Sequence, residues 1–399
     1  MFFRGVYLTG GAPQSSYQYL DILKHDGYNL TVVFQEGEKK LCNLYQNNFD
    51  NMIFDNYFGF FSDSHKYFSL YKAVRKEFKL LKKNKPDLVI VLGHLNGWFY
   101  SRFCSALQIP CVMLVAGGNL ESGRYLLKNS RFSSIICFSQ ENKKVLADYN
   151  NEEFISVISN RVNVKEKFSD SRSYYDFSEK KSVEILLTSR IDNDKYDSIA
   201  NFIDTLNSVA SENRKISLVI AGDGNSFEDL KKYAEGIGNT HLSIELAGHI
   251  DNLVPYFEKA HIVVGKGRSV LEPIMMNRIG CVIGDDGKIE VCTTKNFDNL
   301  YYYNFSGRNL QKDNPVAELT ALIDSLVDGS FDFGDFESTV KQIDFCYSSE
   351  YLSEKFHTVL DSVEPPKKTK KCVSPLMLVV KYIFLKFCRK FKGKVHYGK

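Results

Sequence analysis

The sequence predicts an α/β protein in which two doubly wound, Rossmann-like domains face each other across a crevice and a basic amphipathic tail follows. Three observations carry this expectation. Short apolar runs alternate with longer stretches of helical spacing over most of the 399 residues, the pattern of parallel strands covered by helices on both faces. The alternation breaks once, in the polar and aperiodic stretch KEKFSDSRSYYDFSEKKS after Asn160, and then resumes. The charge is also divided: Pro365 to Lys399 holds eleven Lys/Arg and no Asp/Glu, leaving 40 basic and 48 acidic residues, an excess of eight negative charges, in 1–364.

In the first half the expected strands are Gly5–Thr9, Leu30–Phe34, Asp87–Leu92, Cys111–Val115, Ser134–Ser139 and Ile155–Ile158. The helices between them are Ser15–His25, Tyr67–Lys83, Trp98–Leu107 and Glu141–Tyr149. In the second half strands are expected at Val183–Thr188, Lys215–Ala221, Leu242–Leu246, His261–Val264 and Cys281–Gly284. Helices are expected near Ser198–Ser211, Phe227–Gly236, Val254–Lys259, Val270–Met276 and Ser348–Leu360. The predicted organisation is an N-terminal domain over 1–165, a linker over 166–182, a second domain over 183–345, a closing helix over 346–364 and the tail over 365–399.

With 44% hydrophobic and 25% charged residues the chain is neither disordered nor collagenous, and its near-neutral total of +3 gives no reason to expect a nucleic-acid partner. Nine scattered cysteines without a C-x-x-C pair read as reduced thiols in a cytoplasmic protein. The start, MFFRGVYLTGG, reads as a first strand and not as a leader, and no apolar run is long enough to span a membrane.

In open α/β sheets chemistry collects in the loops after strands. Gly10 and Gly11 lie in the first such loop, where they either form a tight turn or let the backbone approach an anion. After Val183–Thr188 come Arg190 and Lys195, able to neutralise a diphosphate from two directions or to stand as solvated charge. Asp192 and Asp194 make a D-x-D flanked by those cations, and solvated carboxylates fit it better than a metal site. Gly222 and Gly224 form either a turn or a floor for the site. The loop Gly265-Lys266-Gly267-Arg268-Ser269 opens a helix carrying Glu272, which either holds the hydroxyls of a ribose or is an acidic residue favoured at a helix start. His94, in Gly93-His94-Leu95-Asn96-Gly97, either orients an acceptor or phosphate or is a structural histidine at a strand end.

Taken together, the N-terminal Gly-Gly, ICFSQENKKVL, VISNRVNVKEKF, SRIDNDK, IAGDGN and LAGHIDNLVPYFEKAHIVVGKGRSVLEPIMMNRIGCVIG resemble the retaining GT-B glycosyltransferases of family 4 over nearly all of residues 5–360. The resemblance implies a GT-B fold and metal-independent transfer of a sugar from a UDP- or GDP-sugar to a hydroxyl, with no cofactor. It implies that Gly10, Gly11, Gly222 and Gly224 belong to the donor site. Arg190 and Lys195 would hold the departing diphosphate, the backbone at His249–Ile250 would meet the nucleobase, and Glu272 would bind the ribose. Lys266, Arg268 and Ser269 fall in the same donor loop. One departure stands out: the first Glu of the family's Glu-x7-Glu motif falls on Val264, so the usual contact to the donor sugar is missing or replaced.

The stretch PLMLVVKYIFLKFCRKFK puts Lys386, Arg389, Lys390 and Lys392 on one arc of a helix. Leu376, Met377, Val380, Ile383, Phe384, Phe387 and Phe391 lie in the other half, and Leu378, Val379, Tyr382 and Leu385 intrude on the basic arc. Such a helix suits an anionic membrane surface; the alternatives are a helix packed on the protein or a partner, or a disordered basic tail. The expected function is therefore extension of a lipid-linked glycan acceptor of the cell-surface polysaccharide or lipopolysaccharide class, at the inner face of the plasma membrane. An inactive transferase-like binding or scaffold subunit is the alternative, and a nucleotide-sugar 2-epimerase of similar architecture is disfavoured by the Leu-Thr-Gly-Gly-Ala-Pro start.

Overall fold

The computed structural model describes residues 1–4, 11–34, 51–54, 67–117, 120, 124–150, 152–159, 161–162, 164, 175, 182–310, 315–366 and 374–396. They form two compact units, one of Met1–Ser159 with Ser353–Lys399, the other of Asn160–Leu352.

In chain order the first unit holds β1 (Phe2–Arg4), α1 (Gly11–His25), β2 (Thr31–Phe34), β3 (Asn51–Phe54), α2 (Tyr67–Asn84), β4 (Val89–Leu92), α3 (His94–Leu107), β5 (Cys111–Val115), α4 (Arg124–Leu127), β6 (Ser134–Cys137), α5 (Gln140–Ala147) and β7 (Ile155–Val157). The second unit holds β8 (Val183–Thr188), α6 (Asn193–Val209), β9 (Ile216–Ala221), α7 (Phe227–Glu235), β10 (Leu242–Gly248), α8 (Val254–Lys259), β11 (Ile262–Gly265), α9 (Arg268–Met275), β12 (Ile279–Ile283), β13 (Ile289–Val291), α10 (Phe297–Tyr302), α11 (Pro315–Val327) and α12 (Phe333–Tyr347). The chain then runs through α13 (Ser349–Asp361) into α14 (Pro375–His396).

The first sheet has the order β3-β2-β1-β4-β5-β6-β7 and every pairing is parallel. The second has the order β10-β9-β8-β11-β12-β13, parallel except for the β12–β13 pair. Such sheets need cover on both faces, and the alternation along β8 shows how it is supplied. Val183, Ile185 and Leu187 pack with Phe202, Ile203 and Leu206 of α6, while Leu186 joins Phe257 of α8 on the other face. Strand order reverses between β8 and β11, so the loops after those neighbouring strands open at a topological switch point.

In the first unit one face packs α2 and α3 around Trp98, Phe99 and Phe103. On α1 the buried Tyr19 donates its hydroxyl to the Ile158 carbonyl at 3.0 Å and meets the Phe356 ring of α13 edge-on, at 4.8 Å between centroids.

The tail helix is a finding in its own right. Leu378, Val379 and Tyr382 of α14 are buried in the core of the first unit, with Tyr382 set 5.8 Å from Phe99 and 6.1 Å from Trp98. Their i, i+1, i+4 spacing makes one face, and each buried side chain contributes on the order of 1.5–3 kcal/mol. The residues that intrude on the basic arc of the wheel are thus the ones that fasten the helix. No described helix is long and apolar enough to cross a membrane.

Several boundaries differ from expectation. Helix α3 begins at His94, because Gly93 takes φ 92° and ends the strand abruptly. Helix α6 begins at Asn193, which brings Lys195 into its first turn. Strands β3 and β13 and helices α10, α11 and α12 have no counterpart in the sequence expectation. The expected strand at Gly5–Thr9 and all of the linker over 166–182 except Tyr175 and Ser182 lie outside the described residues. Tyr175 packs in the core of the second unit and donates to the Asn277 carbonyl at 2.9 Å.

Candidate functional site

The second unit gathers most of the expected residues at the carboxyl ends of β8, β9, β11 and β12. The loop after β8 rests on the turn after β9. The Ser189 N–H donates to Ala221 O at 3.2 Å, the Ile191 N–H to Asp223 O at 3.0 Å, and the Ser226 N–H returns to Ile191 O at 2.9 Å. This contact explains the two glycines. A Cβ on Gly222, whose φ is 150°, would lie 1.7 Å from Ser189 O, and one on Gly224 would lie 2.4 Å from Ile191 O. Gly222 and Gly224 therefore seat the segment that carries Arg190, which is a structural service to the site.

Arg190 projects from this seat with a largely exposed side chain, its Nη1 2.6 Å from Asp192 Oδ2. Lys195 Nζ is 3.2 Å from Asp194 Oδ2 and 4.0 Å from Asp285 Oδ1. Both carboxylates of the D-x-D are thus paired with neighbouring cations. Among the described residues no cluster of three or more His, Cys, Asp or Glu is arranged to hold a metal ion.

After β11 the chain turns through Gly265, Lys266 and Gly267 into α9. Gly267 has φ 58° and donates its N–H to Phe305 O at 2.7 Å. The Ser269 hydroxyl ties the turn together: it accepts from the Lys266 N–H at 3.1 Å and donates to the Lys266 carbonyl at 3.0 Å. A side chain at Gly265 would strike that hydroxyl at 2.5 Å and the Thr188 hydroxyl at 3.1 Å, so the ends of β8 and β11 adjoin. Glu272, in the second turn of α9, accepts from Arg268 Nε at 2.8 Å. Arg268 and Glu272 are thus an i,i+4 pair, with the Glu272 carboxylate partly exposed beside the helix start.

Asp285 is the residue sequence reasoning missed. It sits in the loop after β12, its Oδ1 2.5 Å from Lys266 Nζ. The hydrogen bond from Lys266, with the added fields of Lys195 and Arg308, holds its carboxyl below the usual carboxylate range. The rule that loops after strands carry chemistry pointed to Gly284-Asp285-Asp286-Gly287, but no local motif marks it.

Val264 is fully buried on β11, facing the core that holds Leu187 and Cys281, its register partners on β8 and β12. A carboxylate there would be unpaired in an apolar core, which explains why this position holds valine. His249 is exposed, its Nε2 3.1 Å from Asp251 Oδ1, while Ile250 packs near Leu186 and Phe257 below it.

The remaining expected residues belong to the first unit. Gly11 is the first residue of α1, and Gly10 lies outside the described residues. His94 opens α3, and burial lowers its pKa. The helix N-terminus opposes a positive charge there as well, so the neutral imidazole is the favoured form near neutral pH.

No family model matches the chain, and no curated protein sequence matches it. Solved structures do match. The chain aligns with HepE of Anabaena, solved with UDP and glucose, at a TM-score of 0.65 and 13% identity, covering 91% of this chain and 100% of that one. A glycosyltransferase from Rickettsia africae gives 0.65 at 14% identity, covering 90% and 97%. The lipopolysaccharide outer core galactosyltransferase WaaB, in its apo form, gives 0.63 at 14% identity, covering 90% and 98%. The structural neighbours are GT-B glycosyltransferases, and the α/β fold described above is theirs.

Proposed function

We propose that the protein is a retaining glycosyltransferase of the family-4 type, moving a sugar from a UDP- or GDP-sugar to a hydroxyl of a glycan acceptor. The observation that carries this reading is the convergence of two ammonium groups, Lys266 and Lys195, on one carboxylate oxygen of Asp285, next to the loop that bears Arg190. Cations drawn to one anionic oxygen at the strand ends of an open sheet offer a place for a diphosphate. The neighbours' complexes with UDP support the same ligand class.

In the proposed reaction the bond from the anomeric carbon to the diphosphate oxygen breaks and its electron pair leaves with the phosphate. The acceptor oxygen bonds to that carbon on the same face, and its proton passes to the departing phosphate oxygen. Arg190 and Lys195 act by meeting the charge that grows on the leaving oxygen, work that needs no metal or other cofactor in this proposal. Glu272 takes the ribose hydroxyls while Arg268 keeps its carboxylate in place. Lys266 is proposed to meet the phosphates with its ammonium group, held by the Ser269-braced turn of Gly265 and Gly267. His94 is proposed to orient the acceptor as a neutral imidazole. Gly10 and Gly11 are proposed to add backbone contacts to the diphosphate, and Ile250 to mark the nucleobase end.

The acceptor proposed is lipid-linked, of the lipopolysaccharide or cell-surface polysaccharide class, which places the enzyme at the inner face of the plasma membrane through residues 365–399. A panel of isotope-labelled UDP- and GDP-sugars, incubated with membrane extract as acceptor, tests the proposal by release of nucleotide and incorporation of label. The buried Val264 favours one second reading, a silent transferase-like scaffold subunit. In that case no sugar in the panel is consumed.

A further inference from the structure

We propose that the first unit carries a two-helix face, formed by α2 together with α14, that docks on an anionic lipid bilayer. The tail alone was the sequence expectation. The structure adds a partner helix and separates the fastening side of α14 from its outward side. The inference rests on the membrane association proposed above and names the surface responsible.

Leu378, Val379 and Tyr382 hold α14 against the core, and Leu70, Val74 and Leu81 of α2 belong to that same core cluster. On the other side of α14, Leu376 is 57% exposed, Met377 60%, Val380 58% and Phe384 64%. Four large apolar side chains within nine residues are too concentrated for ordinary surface scatter. The same α14 residues were expected from the wheel to form its apolar half. Of the rest of that half, Ile383 packs partly against the core, and the side chains of Phe387 and Phe391 lie outside the described residues.

Helix α2 supplies the charge. Phe68, 70% exposed, is followed by Lys72, Arg75, Lys79 and Lys82 at i+4, i+7, i+11 and i+14, a single stripe opposite the buried Leu70, Glu77 and Leu81. Lys72 Nζ stands 4.6 Å from the centre of the Phe68 ring. The one acidic residue of α2, Glu77, is buried and accepts from the Tyr100 hydroxyl, so it takes no part in the outer face. In sequence, the tail over 365–399 adds eleven Lys/Arg and no acidic residue.

Exposed apolar side chains among cations, with no exposed carboxylate on either helix, match a bilayer interface with anionic headgroups. A protein partner of ordinary composition would leave that positive excess uncompensated. Such docking would fix the acceptor domain on the bilayer in one orientation, because the fastened face of α14 cannot turn outward without opening the core.

The test is co-sedimentation of the full chain with vesicles of equal parts phosphatidylglycerol and phosphatidylcholine, and with phosphatidylcholine alone. Wild type is expected to bind the anionic vesicles and lose them in high salt. Lys72→Glu with Lys79→Glu on α2 should weaken binding by about tenfold or more. Val380→Gln with Phe384→Gln should weaken binding to the anionic vesicles by a similar factor. All four positions are exposed, so folding is retained, and hydrogen exchange on wild type gives a check without substitution: α2 amides should gain protection when vesicles are added. Unchanged binding by the α2 pair, with loss on deletion of 365–399, overturns the two-helix face while leaving tail anchoring intact. A dimer in the absence of lipid that Val380→Gln with Phe384→Gln dissolves would show that the face pairs two copies, and would also overturn it. Sugar transfer to a soluble acceptor reads the catalytic proposal separately.

Discussion

The two α/β units bury their sheets in the same way yet place their cations differently. In the unit over 160–352, Arg190 and Lys266 stand on loops after strands and Lys195 in the first turn of α6, each against a carboxylate, with the backbone beneath fixed by Gly222, Gly224, Gly265 and the Ser269 hydroxyl. In the other unit Lys72, Arg75, Lys79 and Lys82 stand on the outer face of α2 and the tail sequence adds further cations, while the described strand end that opens α3 offers a half-buried histidine. Charge set in a rigid loop can select one geometry of anion. Charge spread along a helix answers to a surface of any detailed shape. The contrast explains how a chain of net charge +3 holds a candidate anion site and a cationic face, with a negative excess over 1–364.

The comparison breaks most readily at Arg190. Replacement by alanine is expected to cut turnover by about 10²–10³-fold with a much smaller change in donor KM, because in the proposed mechanism the guanidinium meets charge that develops in the transition state. Steady-state kinetics read this directly, and a rise in KM alone would reduce Arg190 to a ground-state contact.

In the first unit the largest effect should fall on Tyr382. Tyr382→Ala removes a ring packed against Trp98 and Phe99, and a loss of about 3 kcal/mol is expected in urea unfolding, with UDP affinity unchanged.

Gly222→Ala sharpens the contrast. Its Cβ must displace the Ser189 carbonyl, so about 1–3 kcal/mol of stability and most of the turnover should go together. Gly238→Ala, which meets nothing within 4 Å, should leave both within about 0.5 kcal/mol of wild type.

The smallest expected effect is the pH response of His94. Its folded pKa lies below the unfolded value, so the unfolded chain takes up a proton first as pH falls. The unfolded chain therefore gains ground as pH drops below about 6.5, until the folded pKa is reached and the loss levels off. His94→Gln should flatten this part of the stability curve.

Much of the scaffold was legible because parallel strands buried on both faces read as unbroken apolar runs. Cys111–Val115 and Val183–Thr188 match their predicted limits, as does the helix Val254–Lys259. Strand β3 escaped because Asn51–Phe54 sits among Asp and Asn residues that signal turns, and β13 because three residues make no period. The starts of α3 and α6 were read late, since Gly93 to Gly97 and Asp192 to Asp194 look like loop from composition alone.

At the site, sequence order gave Arg190, Lys195, Lys266 and Glu272 as candidates, but not the carboxylate between two of them. Asp285 is 19 residues from Lys266 and becomes its neighbour only because β11 and β12 lie side by side. The tail shows the same limit. A helical wheel separates its faces, but tertiary contact decides that the face of Leu378, Val379 and Tyr382 turns inward.

The most direct measurement is single-turnover release of isotope-labelled sugar from UDP- and GDP-sugars, comparing wild type with Lys195→Ala in the presence of membrane extract. Transfer by wild type with at least one donor, slowed about a hundredfold or more in the variant at saturating donor, is the predicted result. Equal rates for the two proteins, or no transfer by wild type from any donor, would contradict the assignment of the strand-end cations to a departing nucleotide diphosphate.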